Sequence, residues 1–511
     1  MSLGSNFLLP SIRAQRPTTI RVGSTTRSHH PSSGIAERAI DRGPPLDPEG
    51  NETMRVELDA LTRTALPAHW QQAFEWTERR LGGRVIAWEA QPRWRPACFF
   101  ELEKEDGEIL PLYWRGARGE FHSSTRPLER EMRVIEVFER NGITVPHPHG
   151  VCEDPPGLLL EKIPGRFGLE TADDDAHRIK VLDEYLTELA RIHTIPIEEF
   201  EAIGYRRPES PEVSCLGETL LFERSYRATK TRPDPMIEFQ LGWCKRNVPR
   251  ERSDLSFLVC DGGQFMFDDT RMTGLLDFEL AYIGDYAADI ASLRTRNLTE
   301  PMLIPLGDIM RRYGEISGRE IDFSVIDYHT IRFALINPLS VAGQLTDPVP
   351  EANYVQYLAW YVCYGRCGLE VMAATTGTQL DPPSIPDERP SRRSPAIEQL
   401  TTLLDPGAVG EDGEQAYRLD RMQRIAVYLD RSDRHGPALE AEDLDDVAKL
   451  MGRRPSTWQE ADAQLEELVF ASGPERDDEF IRYFHRRLSR EEALLYPVLR
   501  EQQDLEISVL S

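Results

Sequence analysis

The chain is 511 residues long, enough for two or three domains each with its own core. Its 40% hydrophobic and 29% charged content is that of a soluble globular protein, and no apolar run reaches the ~18 residues of a membrane span. A formal charge of -26 argues against non-specific nucleic-acid binding, while local basic groups and a metal would still suffice for an anionic nucleotide.

The first 36 residues carry Arg13, Arg16, Arg21 and Arg27 and no acid before Glu37. That composition is similar to a transit peptide, but prolines 10, 17 and 31 interrupt an amphipathic helix. Residues 1–53 read as a disordered tail, or as sequence upstream of a start at Met54. Next comes a globular unit over 54–165. It opens with a helix at 69–81 and strands at 84–89 (RVIAWE) and 96–104 (PACFFELEK). Asp106-Gly107 turns the second strand into EILPLYWR, because both turn positions tolerate positive φ. LEREMRVIEVFERNG follows with Leu128, Met132, Ile135 and Phe138 on one helical face and Asn141-Gly142 as its stop. GLLLEKIPG (157–165) is a buried strand.

A second, helical unit spans 166–375. Ile179, Leu182, Leu186, Leu189 and Ile192 share a helix face behind the acidic turn at 173–175. Residues 205–235 read as an irregular excursion. Two short strands joined by DDTRMTG come next, and 286–375 is mostly helical. Residues 376–398 have the Pro, Ser and charge content of a linker. A third unit, 399–511, is expected to be a separately cooperative helical domain. Leu419, Met422, Ala426 and Leu429 line one helix there, and Leu444, Val447 and Leu450 a second ending at Gly452. Ser489 with Glu492 forms a capping box before ALLYPVL. Seven scattered cysteines, an odd number, indicate reduced thiols and a cytoplasmic setting. Cys363 and Cys367 share a helix face without the further ligands a zinc site requires.

The chemistry-bearing stretches run in a definite order: LPLYWRGAR with Arg115, LEREMRV with Glu131, LLLEKIPG with Glu161, CDGGQ (260–264), DFE (277–279) and IGDYAADIA (283–291). Over about residues 80–345 this order and spacing resembles the aminoglycoside phosphotransferase and choline kinase-like families. The resemblance implies an α+β, two-lobed protein kinase-like fold, here followed by a mainly helical C-terminal domain. It implies ATP as phosphate donor and Mg2+ as cofactor. Asp261 would be the catalytic base, and Gln264, Asp277 and Glu279 the metal ligands. Arg115 and Glu131 would form the phosphate clamp, and the segment around Glu161 the hinge beside the nucleotide.

The chain departs from the family in three ways. Cys260 stands where a residue of the His-Gly pair belongs. Gln264 follows Asp261 by only three residues, a shorter step than the family's. EAQPRWRP replaces the glycine-rich loop, so that the guanidiniums of Arg93 and Arg95 would take over from backbone amides as phosphate ligands. Several residues also have plainer readings. Asp285 and Asp289 fit helix caps and core bridges. Glu131 with Arg115 fits an ordinary salt bridge. Asp261 fits a cap on a Gly-Gly turn, and His193 a packing histidine.

The expected function is therefore phosphoryl transfer to a hydroxyl of a small molecule. Relatives fused to acyl-CoA dehydrogenases make a hydroxyacyl-CoA as reasonable an acceptor as an aminoglycoside. The alternative is a catalytically impaired pseudokinase that holds nucleotide or ligand and offers its C-terminal helices to a protein partner. No nucleic-acid or membrane partner is expected.

Overall fold

The computed structural model describes residues 55–91, 95–117, 128–350, 352–389, 391–405, 407, 413–508 and 510. The N-lobe contains β1 (Val56–Glu57), α1 (Ala60–Ala65), α2 (Ala68–Leu81), β2 (Arg84–Ala90), β3 (Ala97–Glu103), β4 (Ile109–Gly116), α3 (Leu128–Arg140), β5 (Pro148–Glu153) and β6 (Pro156–Glu161). Its strands form one antiparallel sheet in the order β1-β2-β3-β4-β6-β5. The pleat sorts its residues by parity. Leu159, Phe100 and Leu112 join Trp70 and Phe74 of α2 in one core, whereas Leu158 and Leu160 pack with Val134 and Phe138 of α3 in another. Gly107 turns β3 into β4 with φ of 84°, but Asp106 is not at positive φ, and the connection runs over residues 104–108, with Gly107 N donating to Lys104 O. Strand β5 was not expected, since Pro, His and Gly in PHGVCE mask its pattern. It forms because β6 supplies the pairing partner.

The C-lobe comprises α4 (Asp175–Ile192), α5 (Ile197–Glu201), α6 (Pro211–Leu216), α7 (Thr219–Thr229), α8 (Pro235–Arg246), β7 (Ser256–Leu258), β8 (Phe265–Phe267), β9 (Met272–Leu275), β10 (Tyr282–Gly284), α9 (Ala287–Thr299), α10 (Leu306–Ser317), α11 (Phe323–Thr346) and α12 (Tyr354–Thr376). Strand β7 pairs with β10, and β8 with β9. This nesting sets the 259–264 loop beside the 276–281 loop, and Leu276 N donates to Gln264 O at 3.0 Å. Residues 205–235 are not irregular. Ser210 caps α6 and Asp234 caps α8, and Phe222 and Tyr226 of the intervening α7 are buried. Ile179 is 38% exposed, and Val181 and Tyr185 take inward places on α4.

Four further helices follow: α13 (Ser394–Leu403), α14 (Gly413–Met451), α15 (Trp458–Ala471) and α16 (Asp477–Leu495). The two helices expected within 415–452 are one, continuous through Gly436 and Pro437. Met422 and Leu429 are 45% and 49% exposed, so the inward face of its first half runs through Arg424 and Ala426 instead. Ser489 lies inside α16, where its hydroxyl donates to His485 O, and caps nothing.

These helices do not stand apart from the C-lobe. Leu444, Val447, Leu465, Phe480 and Phe484 belong to the same apolar core as α8, α11 and α12. Phe239 of α8 stacks on Phe484, and Arg366 of α12 donates to Glu492 and to Leu505 O. Polar ties close the seam. Lys230 and Asp234 N both donate to Glu466, and Arg246 to Asp477. The segment expected to be a flexible linker is held as well, by Arg486 on Asp381 and Arg434 on Glu388. A shared core couples its halves, so these helices are expected to unfold with the C-lobe and not as the separate unit their sequence suggested. No helix among the described residues is long and apolar enough to cross a membrane.

Candidate active site

The loop between β7 and β8 is fixed by its backbone. Asp289, wholly buried in α9, accepts from Val259 N at 2.9 Å and Cys260 N at 2.7 Å. Ser292 accepts from Gly262 N and Tyr185 from Gly263 N, at 2.8 and 2.7 Å. Asp289 is held in turn by His193 Nε2 at 3.0 Å. Asp289 and His193 thus have the structural roles their positions suggested. Gly262 is obligatory, since a Cβ there would lie 2.6 Å from Ser292 Oγ. Cys260 adopts φ of 70°, a costly value for a non-glycine residue that four nearby hydrogen bonds enforce.

Asp261 is 2% exposed. Arg296 Nη2 donates to its Oδ1 at 2.5 Å and Gln264 Nε2 to its Oδ2 at 2.9 Å. Arg296 also donates to Glu300 at 2.9 Å. Burial pushes the Asp261 carboxyl up to about 7, against the pull of Arg296 and with a further push from Asp277. Arg296 is depressed by burial but raised on balance by Asp261 and Glu300.

The second half of the site joins the lobes. Arg115 on β4 donates through Nε to Glu131 of α3 at 3.3 Å and through Nη2 to Asp277 at 2.6 Å. The same Nη2 lies 3.4 Å from Glu279. Arg95, buried just ahead of β3, donates to Glu279 at 2.9 Å. Burial, and then the neighbouring Arg115, lower Arg95 to about 9. Asp277 sits at φ of 65°, a sharp bend between β9 and β10. Two guanidiniums and three carboxylates thus form one buried charge cluster, and Asp277 and Glu279 converge on a single nitrogen.

Most of the expected residues are brought together here: Arg95, Arg115, Glu131, Asp277 and Glu279 in one group, and Asp261 with Gln264 in the adjoining loop. Glu161 stays apart. It is exposed at the end of β6, pairs with Leu112, and donates its backbone N–H to His147 O. Arg93 and Trp94 lie outside the described residues, as do residues 1–54. Arg296 was missed. Its signal was an arginine four residues ahead of Glu300 in an otherwise buried helix, which reads equally as a local salt bridge.

Hard oxygen ligands suit magnesium, and Arg115 Nη2 already marks a cationic position between Asp277 and Glu279, so these carboxylates fit such an ion. Among the described residues, three His, Cys or carboxylate ligand atoms lie within 4.8 Å of one another only at Cys215, Asp285 and His329. There Arg252 donates twice to Asp285, at 2.9 and 2.7 Å. Burial opposes ionisation of Asp285, but hydrogen bonds from His329 and Arg252 hold its carboxyl well below the usual range. That cluster is a buried ion pair.

Residues 105–323 match the family described as "Phosphotransferase enzyme family", bearing out the resemblance read from the motifs. Acyl-CoA dehydrogenase family member 10 of Mus musculus is 26% identical over 210 residues, 37% of this chain and 17% of that protein. A probable acyl-CoA dehydrogenase of Arabidopsis thaliana is 22% identical over 214 residues, 38% of this chain and 26% of that protein. The chain thus spans about a quarter or less of the curated relatives' length. A structure from Ralstonia eutropha, described as an aminoglycoside phosphotransferase, aligns with a TM-score of 0.45 at 17% identity, covering 60% of this chain and 98% of its own.

Proposed function

With residues 105–323 matching the phosphotransferase enzyme family, we propose that this chain is a cytoplasmic ATP- and Mg2+-dependent kinase acting on a hydroxyl of a small molecule. The observation that carries this is the convergence of Arg115, Glu131, Asp277 and Glu279 beside the Asp261 loop. Arg115 is held by Glu131 as a forked donor and would turn to the nucleotide's phosphates. Asp277 and Glu279, relieved of that guanidinium, would hold the metal with the Gln264 carbonyl, and Arg95 would add a second phosphate contact. Bound magnesium supplies neutralisation of charge on the transferring phosphoryl. The segment around Glu161 would border the adenine, and Arg93 would lie near the phosphates. Asp261, with a carboxyl near 7, is suited to accept a hydroxyl proton at neutral pH. The acyl-CoA dehydrogenase names of the curated relatives support a hydroxyacyl-CoA as acceptor.

One observation favours the second reading, a pseudokinase that binds and docks without turnover: both oxygens of Asp261 already accept, and its side chain is buried. Titrating Mg-ATP, then following single-turnover transfer to a panel of hydroxylated metabolites including a hydroxyacyl-CoA, separates the readings. Binding with transfer supports the kinase, binding without transfer the pseudokinase, and no binding rejects both.

A further inference from the structure

A cavity of about 300 Å³ lies between the first turn of α3, the β5–β6 hairpin, Tyr205 and the Phe278–Glu279 turn. Asp261, Gln264 and Asp277 do not line it, but Arg95, Glu131 and Glu279 do, so it adjoins the charge cluster of the candidate active site. Its charges can be accounted for one at a time. Glu131 is engaged by Arg115, and Glu279 by Arg95 and Arg115. Glu129 and Glu153 are exposed to solvent at the rim.

That leaves Arg130. Among the described residues its guanidinium has no hydrogen-bond or ion-pair partner, and its Nε is buried. The group lies over the ring of Tyr205, 3.8 Å from the centroid, which fixes its plane and leaves its N–H edge to be used elsewhere. A buried donor without an acceptor is costly, and a carboxylate answers a guanidinium edge with charge-assisted hydrogen bonds. The remaining walls, Leu128, Val151, Pro156 and Phe278, are apolar.

We propose that this cavity is a binding site for a small organic anion, an apolar body carrying one carboxylate that Arg130 pairs. The volume suits a body of about ten heavy atoms, at the small end of ligand pockets. Because Glu131 and Glu279 wall the same cavity, an occupant lies beside two of the three carboxylates around Arg115. Anion and nucleotide binding are then reciprocally coupled. This coupling rests on the phosphotransferase reading, whereas the anion site itself does not.

The probe is octanoate, titrated calorimetrically into the full chain beside octanol, which has the same body without the charge. Octanoate is expected to bind saturably at one site, and octanol at least about tenfold more weakly. Arg130→Gln should weaken octanoate by about tenfold or more, and Val151→Trp, which fills the cavity, should abolish binding, with thermal unfolding verifying that both variants fold. Absence of saturable octanoate binding, equal binding of octanol, or unchanged affinity in both variants overturns the proposal. Octanoate is further expected to shift Mg-ATP affinity in the wild type. If octanoate binds and Mg-ATP does not, the kinase reading fails and the anion site stands.

Discussion

The two acidic halves of the site are built in opposite ways. Asp261 is held entirely within the C-lobe, on a loop in which the amides of Val259, Cys260, Gly262 and Gly263 are tied to Asp289, Ser292 and Tyr185. Asp277 and Glu279 meet instead guanidiniums carried by N-lobe strands, Arg115 on β4 and Arg95 ahead of β3. The first half is rigid because its backbone is satisfied by two helices of its own lobe, α9 and α4. The second depends on how the lobes sit and can exchange partners without disturbing a core. Pre-organisation of the base and adaptability of the cation site are thus assigned to different layers of structure.

The most severe test of this contrast is Asp289→Ala, which strands two buried amides and His193. A loss of about 3 kcal/mol or more in urea unfolding is expected. Arg115→Ala, which removes a cation from the adaptable half, should cost less stability; if it costs more, the contrast is inverted. Next in size, Asp261→Asn should slow single-turnover transfer by about a hundredfold while leaving Mg-ATP affinity within about threefold. Asp277→Ala should do the reverse, weakening Mg-ATP by about a hundredfold. Equal effects of the two substitutions on binding would merge the halves.

A third test is pH. A base with a carboxyl near 7 is protonated below that value, so the transfer rate should fall about tenfold per unit as pH drops below 7. An ordinary aspartate, near 4, would leave the rate flat to about pH 5. A flat profile between pH 5 and 8 would show that Asp261 is not the group being titrated. The smallest effect is expected from Arg115→Lys. It keeps the charge but loses the fork that reaches Glu131 and Asp277 together, and should cost about tenfold in Mg-ATP affinity with little change in the melting temperature.

Legibility in the sequence followed range. Arg115, Glu131 and the Asp277–Glu279 turn were readable because their motifs follow one another in the order and spacing of the family they resemble. Arg296 was not, because its partner Asp261 is 35 residues away and nothing in ASLRTRNL distinguishes an arginine facing a carboxylate from one facing water. The same limit applies to α14. Gly436-Pro437 reads as a break, yet α14 packs against α16 on both sides of it, Tyr428 reaching Glu491 and Asp443 and Asp446 reaching Arg490. Packing overrode a propensity that local reading has to respect. In residues 205–235 the cap signals at Ser210 and Asp234 were present but submerged in charge and proline.

The core that runs from α8 and α12 into α15 and α16 has a consequence for inheritance. A chain ending at residue 376 would bare the face of α12 where Gly365 meets Leu488, and would leave Arg366 without Glu492 and the Leu505 carbonyl. Neither segment can then be shuffled onto another protein, or lost, without repair of the other. The last hundred residues have to descend together with the kinase-like lobe, and substitutions in α16 are expected to be accompanied by changes in α8 and α12.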